Sequence, residues 1–348
     1  MFKPNYQITN KILLSIASIE ASREFIEHAP LVPYWERQFR EDAAVRIAHH
    51  TTALEGNPLS LEEARTIWEG DESLVTAQTG HVQEVINYRS VIKYVEGLKT
   101  TSNRITEEHL NKIHEYVVTN VVPENEVRGY RTGWYGTRNS TTGEVSFVAP
   151  NPEDVLDLIK DFFEWTAGEE GDQTHPILRA GITIAEIARI HPFTEGNGRS
   201  ARALGTASLY LDGYDIKRFF SLDEYYDQNA SGYYDAIQTY QKSDDVLTTW
   251  LEFFASGLEI ELKRVKERVL KMIRDHQLQR EIGQVALNDR QEEILQYIEV
   301  NHAFRNVDFE ELFPNISDDT VLRELKDMMD KGVIKKEGKT KASKYVLR

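Results

Sequence analysis

The sequence predicts a mainly α-helical protein with one small β-hairpin and a separate C-terminal domain of helices and a second hairpin. Three observations predict it. Apolar residues recur at three- and four-residue spacing along most of the chain. One glycine-punctuated stretch, 129–150, breaks that pattern with two short β-prone runs. Residues 287–348 follow a helix, helix–turn–helix, hairpin order of their own.

Ile8, Leu13, Ile16, Ile19 and Phe25 form the first helical stripe, over 8–27, and Pro30 and Pro33 break it. A second helix runs from Tyr34 to about Leu54, and Gly56-Asn57-Pro58 stops it. Ser60, with Glu63 three residues on and Ala64 and Ile67 behind, is a capping-box start. Helical patterns follow at 81–98, 106–119, 153–167 and 175–190, with no fixed repeat period, so a solenoid is not expected. In 129–150, Gly129, Gly133, Gly136 and Gly143 punctuate Trp134-Tyr135 and Val145-Ser146-Phe147-Val148 around a turn-rich centre, Asn139–Gly143. A long helix is expected over 243–277, where Leu251, Phe254, Leu258, Leu262, Val265, Val269 and Met272 recur. Its apolar faces over 251–272, taken as exposed, suggest a homodimer. Residues 283–288 read as a linker.

After the linker, Ile294, Leu295 and Ile298 mark one helix, 307–312 a short second, and Val321, Leu322, Leu325 and Met328 a third. Val333-Ile334 and Tyr345-Val346-Leu347 close with a hairpin, the order of a winged helix. Residues 331–348 hold seven Lys/Arg against one Glu, whereas 287–330 hold four against twelve Asp/Glu. The third helix carries Asp318, Asp319, Glu324, Asp327 and Asp330, which favours a protein-interaction module over a DNA reader. The basic hairpin keeps DNA as an alternative. The expected division is therefore 1–100, a helical N-terminal region; 101–282, a central core; and 287–348, the winged-helix-like domain.

Composition narrows the function. The chain has 348 residues, 40% of them hydrophobic and 28% charged, with a formal net charge of −16. That is a globular composition with an acidic balance, unlike a general nucleic-acid or anionic-membrane binder. It contains no cysteine, which excludes disulfides, thiolate nucleophiles and Cys-based zinc sites. The first residues do not read as a signal peptide and no apolar run would span a membrane, so a soluble, cytoplasmic protein is expected.

Chemistry concentrates in His191-Pro192-Phe193-Thr194-Glu195-Gly196-Asn197-Gly198-Arg199-Ser200-Ala201-Arg202. Residues 177–190 before it are apolar nearly all round, and Ala201 to Leu211 after it are small and apolar, so both read as buried helices. The loop thus opens a helix. Gly196 and Gly198 let backbone N–H groups converge there, an arrangement that binds phosphates. Arg199 and Arg202 share a helix face and offer forked donors. Glu195 is a hard oxygen ligand suited to Mg²⁺ held jointly with phosphates. His191 is suited to act as a general base at neutral pH. Phe193 is expected to anchor the loop in the core. The spacing is not that of a P-loop.

Residues His191 to Arg202 carry every fixed position of the His-Pro-Phe-x-Asp/Glu-Gly-Asn-Gly-Arg-x-x-Arg signature, and the chain resembles the Fic family. Gly129-Tyr130-Arg131 and Trp134-Tyr135-Gly136 resemble that family's flap hairpin. The region up to about 277 resembles an extended Fic helical bundle. The tail resembles an appendage of some bacterial members. The resemblance implies transfer of AMP from ATP to a Ser, Thr or Tyr hydroxyl of a target protein; whether the chain is its own target stays open. By the same resemblance His191 deprotonates the hydroxyl and Glu195 holds Mg²⁺. Gly196, Asn197 and Gly198 form the anion turn, and Arg199 and Arg202 take the β- and γ-phosphates. Trp134, Tyr135 and Gly136 position the target by strand addition. Tyr234, with Gln241, lies where the family contacts adenine.

Thr51-Thr52-Ala53-Leu54-Glu55-Gly56 fits the family's inhibitory pattern, Ser/Thr-x-x-x-Glu-Gly/Asn. Thr51 and Glu55 share a helix face, and Glu55 stands at a helix C-terminus, where an anion needs a cationic partner. The resemblance assigns Arg202 as that partner, so that ATP binds unproductively until Glu55 leaves. Two alternatives stay open: removal of AMP from a modified protein at the same site, and a nucleotide-sensing regulator that binds DNA.

Overall fold

Helix signals in the sequence become helices in the computed structural model, which describes residues 2–31, 33–98, 104–127, 129–138, 145–242, 246–282, 287–338 and 343–347. α1 (Asn10–Glu27) starts at Thr9, whose hydroxyl accepts from the Ile12 N–H, and buries Ile12, Ile19 and Ile26. α2 (Pro33–Ala53) follows, then α3 (Leu61–Glu69), opened by the Ser60/Glu63 capping box the sequence shows. α4 (Thr79–Gly97) and α5 (Glu107–Val118) come next. A short antiparallel pair, β1 (Gly136–Arg138) and β2 (Val145–Val148), forms the hairpin, while its expected turn, 139–143, lies outside the described residues.

The core is built on α8 (Pro176–Ile190) and α9 (Asn197–Leu211), flanked by α6 (Val155–Ala167) and the short α7 (Glu169–Gln173). Both central helices are buried along most of their length, as their apolar composition requires. Gly205 lets them close up: a Cβ there would stand 2.3 Å from Ile184 Cγ1. α10 (Leu222–Gln228) and α11 (Ala230–Lys242) fill a region to which the sequence assigns no helix. α12 (Thr248–Ile282) is the long helix, shifted from the expected 243–277; residues 243–245 lie outside the described residues.

Two compact units result, Met1–His28 with Arg40–Glu267, and Ala29–Phe39 with Arg268–Arg348. Two expectations change. No unit boundary falls at residue 100, because α4 packs on α5 and α9 within the first unit. The α12 stripe is not an exposed face: Leu251, Phe254, Leu258, Leu262 and Val265 are buried by this chain's own core, so that argument for a homodimer falls.

The second unit contains α13 (Asp289–Asn301), β3 (Phe304–Arg305), α14 (Phe309–Leu312), α15 (Asp318–Asp330), β4 (Ile334–Glu337) and β5 (Lys344–Leu347). β3 adds a strand to the expected hairpin, giving an antiparallel sheet in the order β3-β5-β4. Ile294, Ile298, Phe304, Phe309, Leu325, Met328 and Tyr345 form its core, with Trp35 from the start of α2 packed against it. Asn288, at the end of the expected linker, caps α13; 283–286 lie outside the described residues. No described helix is long and apolar enough to cross a membrane.

Candidate active site

The loop between α8 and α9 is held by its own side chains. α8 ends because His191 turns left-handed (φ 51°) and Pro192 cannot continue a helix. Phe193 is buried, as expected, and its ring lies flat on His114 of α5, with centroids 3.6 Å apart. His114 Nε2 donates to the Glu195 carbonyl at 3.0 Å. Asn197 closes the loop: its Oδ1 accepts from the Phe193 N–H and its Nδ2 donates to the Phe193 carbonyl, both at 2.9 Å. Its side chain is therefore turned inward, leaving only its backbone N–H for an anion. Gly196 caps α9 at φ 77°, and a Cβ on it would come within 2.9 Å of Val117 and Val118. No side chain caps α9, so its first N–H groups face outward unpaired within the helix.

Arg202 is 1% exposed and fully engaged. Nη1 donates to Glu55 Oε1 at 2.9 Å, Nε to Asp223 Oδ1 at 3.1 Å, and Nη2 to the Thr51 carbonyl and hydroxyl at 2.9 and 3.1 Å. The sequence-predicted pair of Glu55 and Arg202 is thus in contact, with Thr51 beside it. Glu55 Oε1 also covers Gly198: a Cβ built there would be 2.2 Å from it. Burial pushes the Asp223 carboxyl up, against the pull of Arg202. Arg199 is also buried. Its Nη1 is 3.0 Å from Glu84 Oε1 on α4 and its Nη2 3.4 Å from Glu195 Oε1. Its Nε has no hydrogen-bond partner among the described residues. A buried guanidinium with an orphan N–H beside an uncapped helix start suits a multidentate anion.

His191 sits at the rim. Burial pushes its imidazole down to about 4, so it is neutral near pH 7. Nδ1 faces the Ala188 carbonyl at 3.4 Å, which assigns the proton to Nδ1 and leaves Nε2 its lone pair. Tyr135 stacks on the ring at 3.9 Å, and Gly136 opens β1, where a Cβ would press on the Phe147 carbonyl at 3.1 Å. Trp134 is 73% exposed. Tyr234 stands near Glu55, its hydroxyl donating to the Leu54 carbonyl at 2.9 Å; Gln241 Nε2 reaches the Ala188 carbonyl at 3.5 Å.

Several residues here escape sequence reasoning. Arg131 was read only as part of the hairpin stretch. It donates to the carbonyls of His191 (2.7 Å), Pro150 (2.6 Å), Gly133 (2.9 Å) and Ile190 (3.3 Å), and its N–H donates to the Pro192 carbonyl at 2.8 Å. It ties the hairpin to the loop. His114, Asp223 and Asn57 are single buried polar residues on otherwise ordinary segments, and Glu84 is a half-buried one distinguished only by its contact with Arg199.

The fold and site define a helical domain with an uncapped helix start, two buried arginines beside it and a neutral histidine at its edge. Residues 104–209 match the Fic/DOC family. The chain is 28% identical over 209 residues to protein adenylyltransferase fic-1 of Caenorhabditis elegans, covering 60% of this chain and 39% of the relative. It is 30% identical over 190 residues to protein adenylyltransferase Fic of Nematostella vectensis, covering 54% and 43%. The chain thus matches less than half the length of these relatives. Among solved structures, a Fic family protein from Desulfovibrio desulfuricans G20 shares the fold with a TM-score of 0.69 at 21% identity, covering 100% of this chain and 98% of that one. A fragment of Fic-1 from C. elegans does so at 0.61 and 24%, covering 75% and 73%.

Proposed function

We propose that the protein transfers AMP from ATP to a hydroxyl of a target protein, releasing pyrophosphate, and that Glu55 holds this activity in check. One observation carries the reading: the uncapped start of α9, with two buried arginines, meets a neutral His191 at its rim while Glu55 occupies Arg202. His191 Nε2 takes the hydroxyl proton. The oxygen bonds to the α-phosphorus, the bond to the bridging oxygen breaks, and pyrophosphate leaves. The N–H groups of Asn197 and Gly198, with Arg199, bind phosphate oxygens, and Arg202 binds the γ-phosphate once Glu55 has left it. The carboxylate of Glu195 fits a Mg²⁺ ligand, and the ion would offset phosphate charge. Tyr135, stacked on His191, orients the base, and the hairpin edge takes the target segment, with Trp134 outward. Tyr234 borders the adenine. The second unit, winged-helix-like in element order, is read as a protein-interaction module because α15 is acidic.

The test incubates purified protein with Mg²⁺ and ATP labelled at the α-phosphate. Glu55→Gly is expected to label protein, and Glu55→Gly combined with His191→Ala is expected to give none. Label in the double variant at the level of the single one would overturn the role of His191. Release of AMP from a modified protein by the parent would replace forward transfer with the reverse reaction.

A further inference from the structure

The turn that carries Glu55 is itself tied down, and the tie leads to the other arginine. α2 closes in a Schellman turn: the Gly56 N–H donates to the Ala53 carbonyl (2.8 Å) and the Asn57 N–H to the Thr52 carbonyl (3.1 Å), with Gly56 at φ 95°. Glu55 is the last residue before this reversal, so its backbone position is set by what holds Asn57. Asn57 is buried. Its Nδ2 donates to the His81 carbonyl at 3.0 Å and to Glu84 Oε2 at 2.8 Å, and its Oδ1 accepts from the Leu59 N–H at 3.1 Å. The other oxygen of Glu84 is the one 3.0 Å from Arg199. Contacts therefore run unbroken from Arg202 through Glu55, the turn, Asn57 and Glu84 to Arg199.

We propose that Asn57 is a positioning residue that latches the Glu55 turn to Glu84, so that the carboxylates on Arg202 and Arg199 are held and released together. The proposal rests on the reading of Glu55 as the inhibitory group and of the arginines as phosphate ligands. With the latch closed, Glu55 leaves Arg202 only by rotating its side chain, because moving the main chain breaks three hydrogen bonds of Asn57. A polyphosphate that pairs with Arg199 competes with Glu84 Oε1. Glu84 then gives up its place opposite Asn57, and the turn gains the freedom to move away from Arg202. Binding at one arginine thus loosens the carboxylate on the other.

A double-mutant cycle on the full chain tests this. The variants are Asn57→Ala, Glu55→Gly and their combination, read by calorimetric ATP binding with Mg²⁺ and by incorporation of α-labelled AMP. Asn57→Asp is the second variant. It keeps the volume and the acceptor for Leu59 but turns oxygen toward Glu84 and the His81 carbonyl. Asn57→Ala and Asn57→Asp are expected to raise ATP affinity or incorporation at least threefold in the parent, and to add less than twofold on Glu55→Gly. A merely structural role would lower both readouts in both backgrounds. Equal effects in the two backgrounds, or none in the parent, would overturn the latch while leaving an active Glu55→Gly protein. Glu55→Gly at the parent level would overturn the inhibitory reading together with the latch.

Discussion

Glu55→Gln separates the two ways in which Glu55 blocks the site. The carboxylate neutralises Arg202 through a 2.9 Å contact and fills the space over Gly198. Gln keeps the volume and one acceptor oxygen and loses the charge. Two unit charges about 4 Å apart attract by about 4 kcal/mol at an effective dielectric of about 20. Desolvation offsets much of this, and hydrogen bonds to charged groups contribute about 1.5–3 kcal/mol net. The Glu55 side chain is 34% exposed, so solvent screening puts the pair at the low end, about 1.5 kcal/mol, or roughly tenfold in an equilibrium. Glu55→Gly removes charge and volume together. Incorporation of α-labelled AMP should therefore rise from parent to Glu55→Gln to Glu55→Gly, with Glu55→Gly about tenfold or more above the parent. Gln at the parent level would show that volume alone blocks the site, and Gln at the Gly level that charge alone does. Either result refutes the two-part account drawn from the contact.

Two further outcomes follow from the loop. Arg131→Ala removes the donors of four carbonyls, and each such acceptor left unpaired away from water costs about 1–3 kcal/mol, visible as a lowered urea midpoint. Arg131→Lys should recover part of the midpoint, and a midpoint unchanged in the alanine variant would remove the tie between hairpin and loop. His114 and His191 are both held down to about 4 by burial, so the unfolded chain binds more protons than the folded one between about pH 6.5 and 4. Their contribution is complete above about pH 6.5 and is lost as pH falls toward 4, by about 3 kcal/mol at most for the buried His114. Denaturant midpoints at pH 7, 5.5 and 4.5 should fall in that order, and His114→Gln should flatten the slope; a slope unchanged by that substitution would contradict the assignment.

The fold was legible where a physical requirement repeats along the chain. Ile182, Ile184 and Ile187 can only be buried, and the Ser60/Glu63 box caps the helix it announces. The pairing of Glu55 with Arg202 was reachable only through a resemblance, because 147 residues separate them and neither has a local partner that would reveal the other. Asn57 read as part of a helix stop, which it is, while its side chain does something a stop does not require. Arg131, His114 and Asp223 act through carbonyls and buried contacts that exist only after α5, α8, α9 and α10 have packed. The stripe on α12 misled for the complementary reason: periodicity shows that a face must be covered and does not say by what.

The arrangement of carboxylates around the two arginines follows from burial. A guanidinium at 1% exposure cannot stand unpaired, since an isolated buried charge is prohibitively costly. Before any anion arrives, Arg202 and Arg199 therefore need counter-ions from the chain: Asp223 and Glu55 supply them to Arg202, and Glu84 and Glu195 to Arg199. The two on Arg202 are not equivalent. The Asp223 side chain is 3% exposed and that of Glu55 34%. Glu55 alone lies at a helix C-terminus, where the dipole already disfavours an anion. It is therefore the carboxylate that water and a competing phosphate displace at least cost, whereas Asp223 stays and keeps Arg202 aimed. Inhibition by Glu55 and permanent support by Asp223 are in this sense one solution to the same electrostatic requirement, divided between an exchangeable partner and a fixed one.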